Sequence, residues 1–144
     1  MLIYKQETPS LESIREFFYR TNDEFDVPLN QKVDIEAYTL KLFTNATFFI
    51  CYDDENIVGM ICCYMNRPPQ AYISHVCVSS EYQGKGIFNN LFILLKNNSK
   101  MNSINRISLE VGFANIRAQK IYKAKGFIIN NQTNKSYYMS LNIL

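Results

Sequence analysis

The sequence predicts a mixed α/β (α+β) fold in which helices cover a sheet of about seven strands. Three observations support this prediction. The 144 residues are 47% hydrophobic and 19% charged, a composition that supplies a buried core and excludes a disordered chain. Apolar residues follow a helical period up to Phe43 and a strand pattern from Thr47. Strands then come in runs joined by crossover helices, which implies a mixed sheet, and we expect residues 1–144 to form a single domain.

Local signals define the individual elements in chain order. Apolar positions at helical spacing predict helices, and runs of β-branched and aromatic residues predict strands. Clusters of glycine, proline, asparagine and aspartate separate these segments. The predicted order is β-α-α-β-β-β-α-β-α-β-β. The predicted strands cover residues 1–6, 47–52, 57–65, 71–78, 106–111, 127–129 and 136–141. The first helix is opened by Pro9 and the N-cap Ser10 and ends near Asn22, and the other helices cover 33–43, begin at Ile87 and cover 115–125.

Charge and hydropathy exclude several classes of function. Fifteen Lys and Arg against thirteen Asp and Glu give a net charge of +2, and no basic cluster is present, so nucleic-acid binding is not expected. The longest apolar runs are much shorter than the roughly 20 residues of a membrane span. The first seven residues lack the basic and apolar regions of a secretory signal. We therefore expect a cytoplasmic protein without a membrane partner.

The four cysteines indicate neither a disulfide framework nor a metal site. Cys51, Cys62, Cys63 and Cys77 form no C-x-x-C pair, and they are predicted to be small buried residues in a reducing compartment. Because His75 is the only histidine, no Cys/His cluster with metal-ligand spacing exists.

A strand–loop–helix segment over residues 76–89 carries the first functional pattern. Gly84 and Gly86 let the backbone approach a ligand with no Cβ in the way, and Lys85 adds a positive charge. The N–H groups of the loop and of the helix start can face one concavity, which is typical of a phosphate or pyrophosphate site. The P-loop pattern is absent, and Asn89 stands where a dinucleotide fingerprint has its third glycine. Taken alone, the segment leaves a plain glycine turn as the alternative.

A second pattern spans residues 109–127. Glu110 lies between two apolar residues of a predicted strand, so its side chain faces away from theirs and needs a polar cleft or a partner. Asn115 is placed to cap the following helix, and Tyr122, two turns farther on, shares its face. A salt-bridged edge residue remains the alternative for Glu110, and a core aromatic the alternative for Tyr122.

Together the two segments resemble motifs of the GNAT superfamily of acyl-CoA-dependent N-acyltransferases. The phosphate loop of that family reads Q/R-x-x-G-x-G/A, and this chain departs from it only at Phe88, where the family has glycine or alanine. The second segment is similar to the L-E-V…N-x-x-A-x-x-x-Y-x-x-x-G-F pattern of the bacterial ribosomal-protein N-terminal acetyltransferases. The matching residues are Leu109, Glu110, Val111, Asn115, Ala118, Tyr122, Gly126 and Phe127.

The resemblance implies a GNAT-like, mostly antiparallel mixed sheet flanked by about four helices, with acetyl-CoA as the acyl donor. It further implies that the backbone of the strand before the loop pairs with the pantetheine amides, and that loop N–H groups hold the pyrophosphate. Asn115 would bind the pantetheine region through its side chain. The residues expected to bind the cofactor are Val76, Cys77, Val78, Gln83, Gly84, Lys85, Gly86, Ile87, Phe88, Asn89 and Asn115.

The resemblance also implies direct acyl transfer to a primary amine in a ternary complex. An alkyl amine has a pKa of about 8–10 and must lose a proton before it attacks, and Glu110 is the expected base, acting through a water. Tyr122 is the expected acid for the departing thiolate, and a backbone N–H near Val78 is expected at the oxyanion. A protein N-terminus and a small-molecule amine are both open as acceptors. A non-catalytic acyl-CoA-binding regulatory module is the alternative function, and a homodimer is common among such relatives.

The acceptor site is expected between the first two helices, their connecting loop over residues 23–30 and the loop over residues 67–70. The loop carries Asp23, Glu24 and Asp26, which can attract a cationic amine, although a solvated loop is the preferred interpretation.

His75 is the other candidate base. Strand alternation puts Tyr72, Ser74, Val76 and Val78 on one face and Ile73, His75 and Cys77 on the other. We therefore predict that His75 points away from the cleft as a hydrogen-bonded core or surface residue, unless a bulge intervenes.

Overall fold

The computed structural model describes residues 1–143, and its elements follow the predicted order. The strands are β1 (Leu2–Gln6), β2 (Thr47–Asp53), β3 (Asn56–Arg67), β4 (Gln70–Val78), β5 (Arg106–Gly112), β6 (Ile128–Gln132) and β7 (Ser136–Asn142). The helices are α1 (Leu11–Arg20), α2 (Leu29–Lys32), α3 (Ile35–Asn45), α4 (Ile87–Met101) and α5 (Ile116–Ala124). Short 3-10 turns span Asn22–Glu24 and Ser80–Tyr82.

Side-chain caps set the starts of three helices. The Ser10 hydroxyl accepts the N–H of Ser13 at 3.1 Å, as predicted for α1. The Asn115 side chain accepts the N–H of Ala118 at 3.2 Å and starts α5. The second predicted helix differs from the prediction, because Asp34 caps α3 and the residue before Asp34 is extended. The short helix α2, within and just beyond the predicted loop, was not predicted.

The sheet has the order β1-β2-β3-β4-β5-β7-β6, and all neighbouring strands are antiparallel except β4 and β5. The predicted fold class is confirmed. The parallel pair joins Gln70–Tyr72 only to Arg106–Ser108, although both strands continue beyond these residues. The carboxyl halves of β4 and β5 therefore separate and leave a gap in the middle of the sheet.

Helices cover both faces of the sheet. On one face, Leu91 and Leu95 of α4 and Tyr122 of α5 pack with buried strand residues such as Leu109. On the other face, α1 and α3 pack on Phe48 and its neighbours. Full burial of one such aliphatic or aromatic side chain contributes roughly 1.5–3 kcal/mol to folding. All four cysteines are buried and unpaired, and none of the helices within residues 1–143 is long and apolar enough to cross a bilayer.

A β-bulge in β4 changes which side chains face α1 and α3. Opposite β3, Cys62 pairs with His75 but the next residue pairs with Ile73, so Ser74 is an extra residue in the ladder. Ile73 consequently lies in the core under α4, whereas His75 packs against rings of α1 and α3. The prediction that Ile73 and His75 share a face is wrong, because strict alternation fails at the bulge.

Candidate active site

A cavity of about 440 Å³, here called the donor cavity, borders the carboxyl end of β4, the following loop, and α4 and α5. Its wall includes every residue that the sequence predicted to bind the cofactor, except Lys85. Tyr122 also lines it, whereas Glu110 does not. The structure thus brings the two sequence motifs together around one cavity, although they are distant in sequence.

The loop at one end of the donor cavity presents free backbone donors. Gly84 and Gly86 have φ angles of 80° and 78°, a left-handed conformation that glycine adopts without strain. Gly86 is the N-cap of α4, and the first helical N–H to find an acceptor is that of Asn90. In the described part of the chain, the three preceding N–H groups, including that of Phe88, have no acceptor. Such a helix start attracts an anion.

The departure from the family pattern at Phe88 leaves this loop intact. Its ring stacks on Phe92 at 5.8 Å between centroids and meets Tyr122 edge-on at 6.0 Å. The side chain therefore joins the aromatic core beside the cavity, and α4 begins at Ile87 as predicted.

A cation that sequence reasoning left without a role lies beside the loop. Arg117 lines the donor cavity, its guanidinium donates to the Gln83 side chain at 3.4 Å, and it makes no salt bridge within residues 1–143. Gln83 in turn donates to the Val78 carbonyl at 3.2 Å. Lys85 stays outside the wall, with its ammonium 5.8 Å from the Tyr82 ring. Arg117 is therefore better placed than Lys85 to meet a bound phosphate.

Arg117→Ala is expected to weaken acetyl-CoA binding about 5- to 10-fold at low ionic strength, because a charge-assisted hydrogen bond to phosphate is lost. The loss should shrink in 0.5 M salt, because exposed charges are then screened. Calorimetric titration of the variant, with Lys120→Ala as a control on the same helix outside the cavity, measures both effects. Equal affinity of the two variants would remove Arg117 from the phosphate site.

Two contacts that the sequence does not reveal fix the loop. The Glu24 carboxylate is exposed, as expected for a solvated loop, and it also lines the donor cavity and accepts the N–H of Ser80. The Tyr82 hydroxyl donates to Asp53, the last residue of β2. These partners are 56 and 29 residues apart in sequence, a separation at which no local pattern indicates pairing.

Tyr122 lines the donor cavity. The residue is 9% exposed, its ring is packed against Phe88 and Phe127, and its hydroxyl bonds to no other described residue. Burial raises the pKa of Tyr122 to about 12. The side chain is therefore a protonated donor throughout the physiological range.

Glu110 lies apart from this hydroxyl. It is exposed on β5, and its neighbours Leu109 and Val111 face the core that contains Tyr122. Its carboxylate accepts the hydroxyl of Ser136, and its charge raises the pKa of Tyr138. Glu110 therefore faces away from the core that holds the Tyr122 ring and does not line the donor cavity.

His75 is buried beneath α1 and α3. Its Nδ1 is 3.2 Å from the Tyr38 hydroxyl, the Phe18 ring centroid is 4.5 Å away, and Nε2 has no partner among the described residues. Burial, with a smaller effect of the Lys32 charge, lowers the pKa of His75 to about 3. The imidazole is therefore neutral at physiological pH, and the residue is a buried, hydrogen-bonded core histidine.

Comparison with known proteins was made by sequence and by structure. The sequence model of the Acetyltransferase (GNAT) family matches residues 11–127. No curated protein sequence gives a match. Ard1 of Thermoplasma volcanium superposes with a TM-score of 0.83 and 20% identity, covering 98% of both chains.

Two further solved structures are similar in fold. A ribosomal-protein alanine N-acetyltransferase of Escherichia coli has a TM-score of 0.80 and 17% identity, covering 99% of this chain and 94% of its own. The PaiA N-acetyltransferase of Thermoplasma acidophilum, in complex with coenzyme A, has a TM-score of 0.76 and 14% identity, covering 97% and 99%.

Proposed function

Since the chain belongs to the GNAT acetyltransferase family and uses acetyl-CoA as its acyl donor, we propose that it transfers the acetyl group directly to a primary amine in a ternary complex. Tyr122 is the acid and Glu110 the water-mediated base. The observation that carries the proposal is the donor cavity, whose wall combines the start of α4, with its free N–H groups, and Tyr122. A pyrophosphate and a thioester of one molecule can occupy these two regions together.

The donor cavity supports a defined placement of acetyl-CoA. The pyrophosphate accepts from the first N–H groups of α4, and the pantetheine amides follow the backbone of Val76–Val78. The Asn115 side chain is already engaged with its own helix, and its remaining amide donors are directed to the pantetheine. The thioester sulfur then lies near the Tyr122 hydroxyl.

The proposed reaction forms one bond and breaks one. The neutral amine attacks the thioester carbonyl, and a backbone N–H near Val78 stabilises the oxyanion. Collapse of the tetrahedral intermediate breaks the C–S bond, and Tyr122 gives its proton to the departing sulfur. Burial raises the pKa of Tyr122, and the same desolvation would raise the pKa of a thiol that leaves within the cavity, so the two shifts offset each other in the proton transfer. The proton released by the amine leaves through water to Glu110.

Glu110→Gln is expected to reduce kcat/KM about 10-fold at pH 6.5 and much less at pH 9. A protonated amine depends on the base, whereas at high pH the amine is already neutral. The pH–rate profile of the variant should be compared with that of Glu55→Gln, which changes an exposed carboxylate in the β2–β3 turn. If the profiles of Glu110→Gln and the parent coincide, another group removes the proton.

The acceptor is proposed to be a small-molecule amine or a protein N-terminus. The similarity to a ribosomal-protein alanine N-acetyltransferase supports the second, and a cavity of about 260 Å³ beside β4, lined in part by Phe25, Leu29 and Val33, supports the first. The test is thiol release from acetyl-CoA with 2-phenylethylamine, isopentylamine, spermidine and an alanine-initiated peptide, with the product identified by mass spectrometry. Binding of acetyl-CoA without acetylation of any amine would contradict transfer and favour a regulatory acyl-CoA-binding module.

A further inference from the structure

Charge is distributed unevenly along the chain. Residues 82–144 contain nine of the fifteen Lys and Arg but only one of the thirteen Asp and Glu, which is Glu110. Residues 1–81 have the opposite excess, so the net charge of +2 does not reveal the difference. Both helices beside the donor cavity, α4 and α5, belong to the basic part and contain no acidic residue. The helices on this side of the molecule therefore favour a ligand with several negative charges.

Lys125 connects these two helices next to the donor cavity. It is the C-cap of α5, eight residues after Arg117 and four after Ile121, which both line the cavity. Residues at this spacing share one face of a helix. The Lys125 ammonium donates to the side-chain oxygen of Asn89, a cavity residue in the first turn of α4. Lys125 is not itself part of the wall, but its charge lies beside the helix start whose N–H groups are free.

The hydrogen-bond donors of Lys125 and Asn89 are not all used. An ammonium group has three N–H bonds, and Asn89 is the only hydrogen-bond partner of this one within residues 1–143. The amide N–H bonds of Asn89 have no acceptor in the same range. Neither of the two salt bridges in the described part of the chain involves Lys125. A positive charge beside free amide donors, with no carboxylate bound to it, is a set of groups from which a phosphate accepts hydrogen bonds.

The position of Lys125 matches one end of acetyl-CoA. That molecule carries a pyrophosphate in its middle and a separate phosphate on the 3′ oxygen of its ribose. The pantetheine is proposed above to lead from the pyrophosphate to Val76–Val78, so the adenosine must leave the start of α4 on another side. Ile121 is a wall residue with no part in that placement; it is 37% exposed and lies one turn before Lys125. Its apolar side chain can support the adenosine while Lys125 and Asn89 bind the phosphate.

We propose that Lys125, together with Asn89, binds the 3′-phosphate of acetyl-CoA and makes the enzyme selective for donors that carry this phosphate. The inference rests on the placement of acetyl-CoA proposed above and does not depend on the roles of Glu110 and Tyr122. Arg117 stays with the pyrophosphate, because its guanidinium contacts Gln83 in the phosphate loop.

The alternative role of Lys125 is structural. Its hydrogen bond to Asn89 joins α5 to α4, and a cation at the carboxyl end of a helix is favourable in itself. In that role, replacement of Lys125 would weaken every acyl-CoA by the same factor. In the proposed role, only donors with a 3′-phosphate are affected, so the choice of ligand separates the two.

A cycle of titrations removes the cation and the phosphate in turn. Calorimetry at low ionic strength compares acetyl-CoA with acetyl-3′-dephospho-CoA, in the parent and in Lys125→Met, which keeps an unbranched side chain. We expect the parent to prefer acetyl-CoA about 10-fold or more. In the variant, the Kd for acetyl-CoA should rise about 5- to 20-fold while the Kd for the dephospho donor stays within about twofold. A parent that binds both donors equally, or a variant that keeps the preference of the parent, overturns the inference.

Two further variants serve as controls. Lys123→Met removes an exposed cation of α5 that does not line the donor cavity, and it should change neither Kd. Arg117→Ala should weaken both donors by the same factor, because both contain the pyrophosphate. If Arg117→Ala removes the preference and Lys125→Met does not, the 3′-phosphate lies on Arg117 and the inference is wrong.

A fragment of the cofactor gives an independent measurement. Adenosine 3′,5′-bisphosphate should displace acetyl-CoA from the parent at a lower concentration than ADP does, and the two should be equal with Lys125→Met. Equal displacement from the parent contradicts the inference while acetylation of amines remains intact. A parent that binds acetyl-CoA but acetylates no amine contradicts acyl transfer and leaves the assignment of Lys125 in place. A parent that binds neither donor contradicts the placement of acetyl-CoA and this inference with it.

Discussion

Tyr122→Phe is expected to lower kcat by about 100-fold or more and to leave the Kd for acetyl-CoA within about twofold. The change removes one oxygen and keeps the ring that packs between Phe88 and Phe127. Binding of acetyl-CoA depends on the loop that contains Gly84 and Gly86 and not on the Tyr122 hydroxyl, so the affinity for acetyl-CoA should be unchanged. Pre-steady-state thiol release and calorimetric titration measure the two quantities separately.

The matched control is Tyr137→Phe, a tyrosine of β7 whose ring packs on Phe113 outside the donor cavity. Its kcat should equal that of the parent. A pH profile adds a second criterion: a group whose folded pKa is about 12 stays protonated below that value, so loss of the acid form should not reduce kcat up to about pH 10. Normal turnover in Tyr122→Phe would remove this residue as the acid.

Gly86→Val is expected to raise the Kd for acetyl-CoA by roughly 10- to 100-fold. No atom lies within 4 Å of a Cβ built at Gly86, so the cost is not a clash. It arises because φ is 78°, where a β-branched residue is strained by about 1–3 kcal/mol. The loop relieves that strain by leaving the conformation that directs its N–H groups into the donor cavity.

Gly112→Val controls for the same change of side chain. Gly112 also has open space around its Cβ position, but its φ is not positive and it lies outside the donor cavity. This variant should bind acetyl-CoA like the parent. Both variants should remain folded, since the strain is smaller than the 5–15 kcal/mol by which a domain of this kind is usually stable. Equal affinity of Gly86→Val and the parent would contradict the phosphate-loop assignment.

Local signals were sufficient for most of the fold, and the family resemblance supplied most residues of the donor cavity wall. Ser10 and Asn115 cap helices as their residue types predict, and Gly84 and Gly86 adopt positive φ angles that glycine takes without strain. Each of these signals acts within four residues along the chain, a range in which residue type and spacing determine geometry.

The features that sequence reasoning missed depend on distant partners or on a change of register. One extra residue at Ser74 reverses the face of His75, and nothing in the residue types of β4 indicates it. Glu24 enters the donor cavity because its carboxylate meets a backbone N–H 56 residues away. Arg117 lies in the second motif, residues 109–127, and Gln83 lies in the first, residues 76–89. Their contact could not be predicted because only the fold determines how the two motifs lie relative to each other.

The most direct test of the account is a crystal structure of the protein with acetyl-CoA, in which the distance from the Tyr122 hydroxyl oxygen to the thioester sulfur is measured. We expect the pyrophosphate on the N–H groups that follow Gly86, the pantetheine along Val76–Val78 and an oxygen–sulfur distance of about 3–4 Å. A sulfur beyond hydrogen-bond reach of Tyr122, or a pyrophosphate away from this loop, would contradict it.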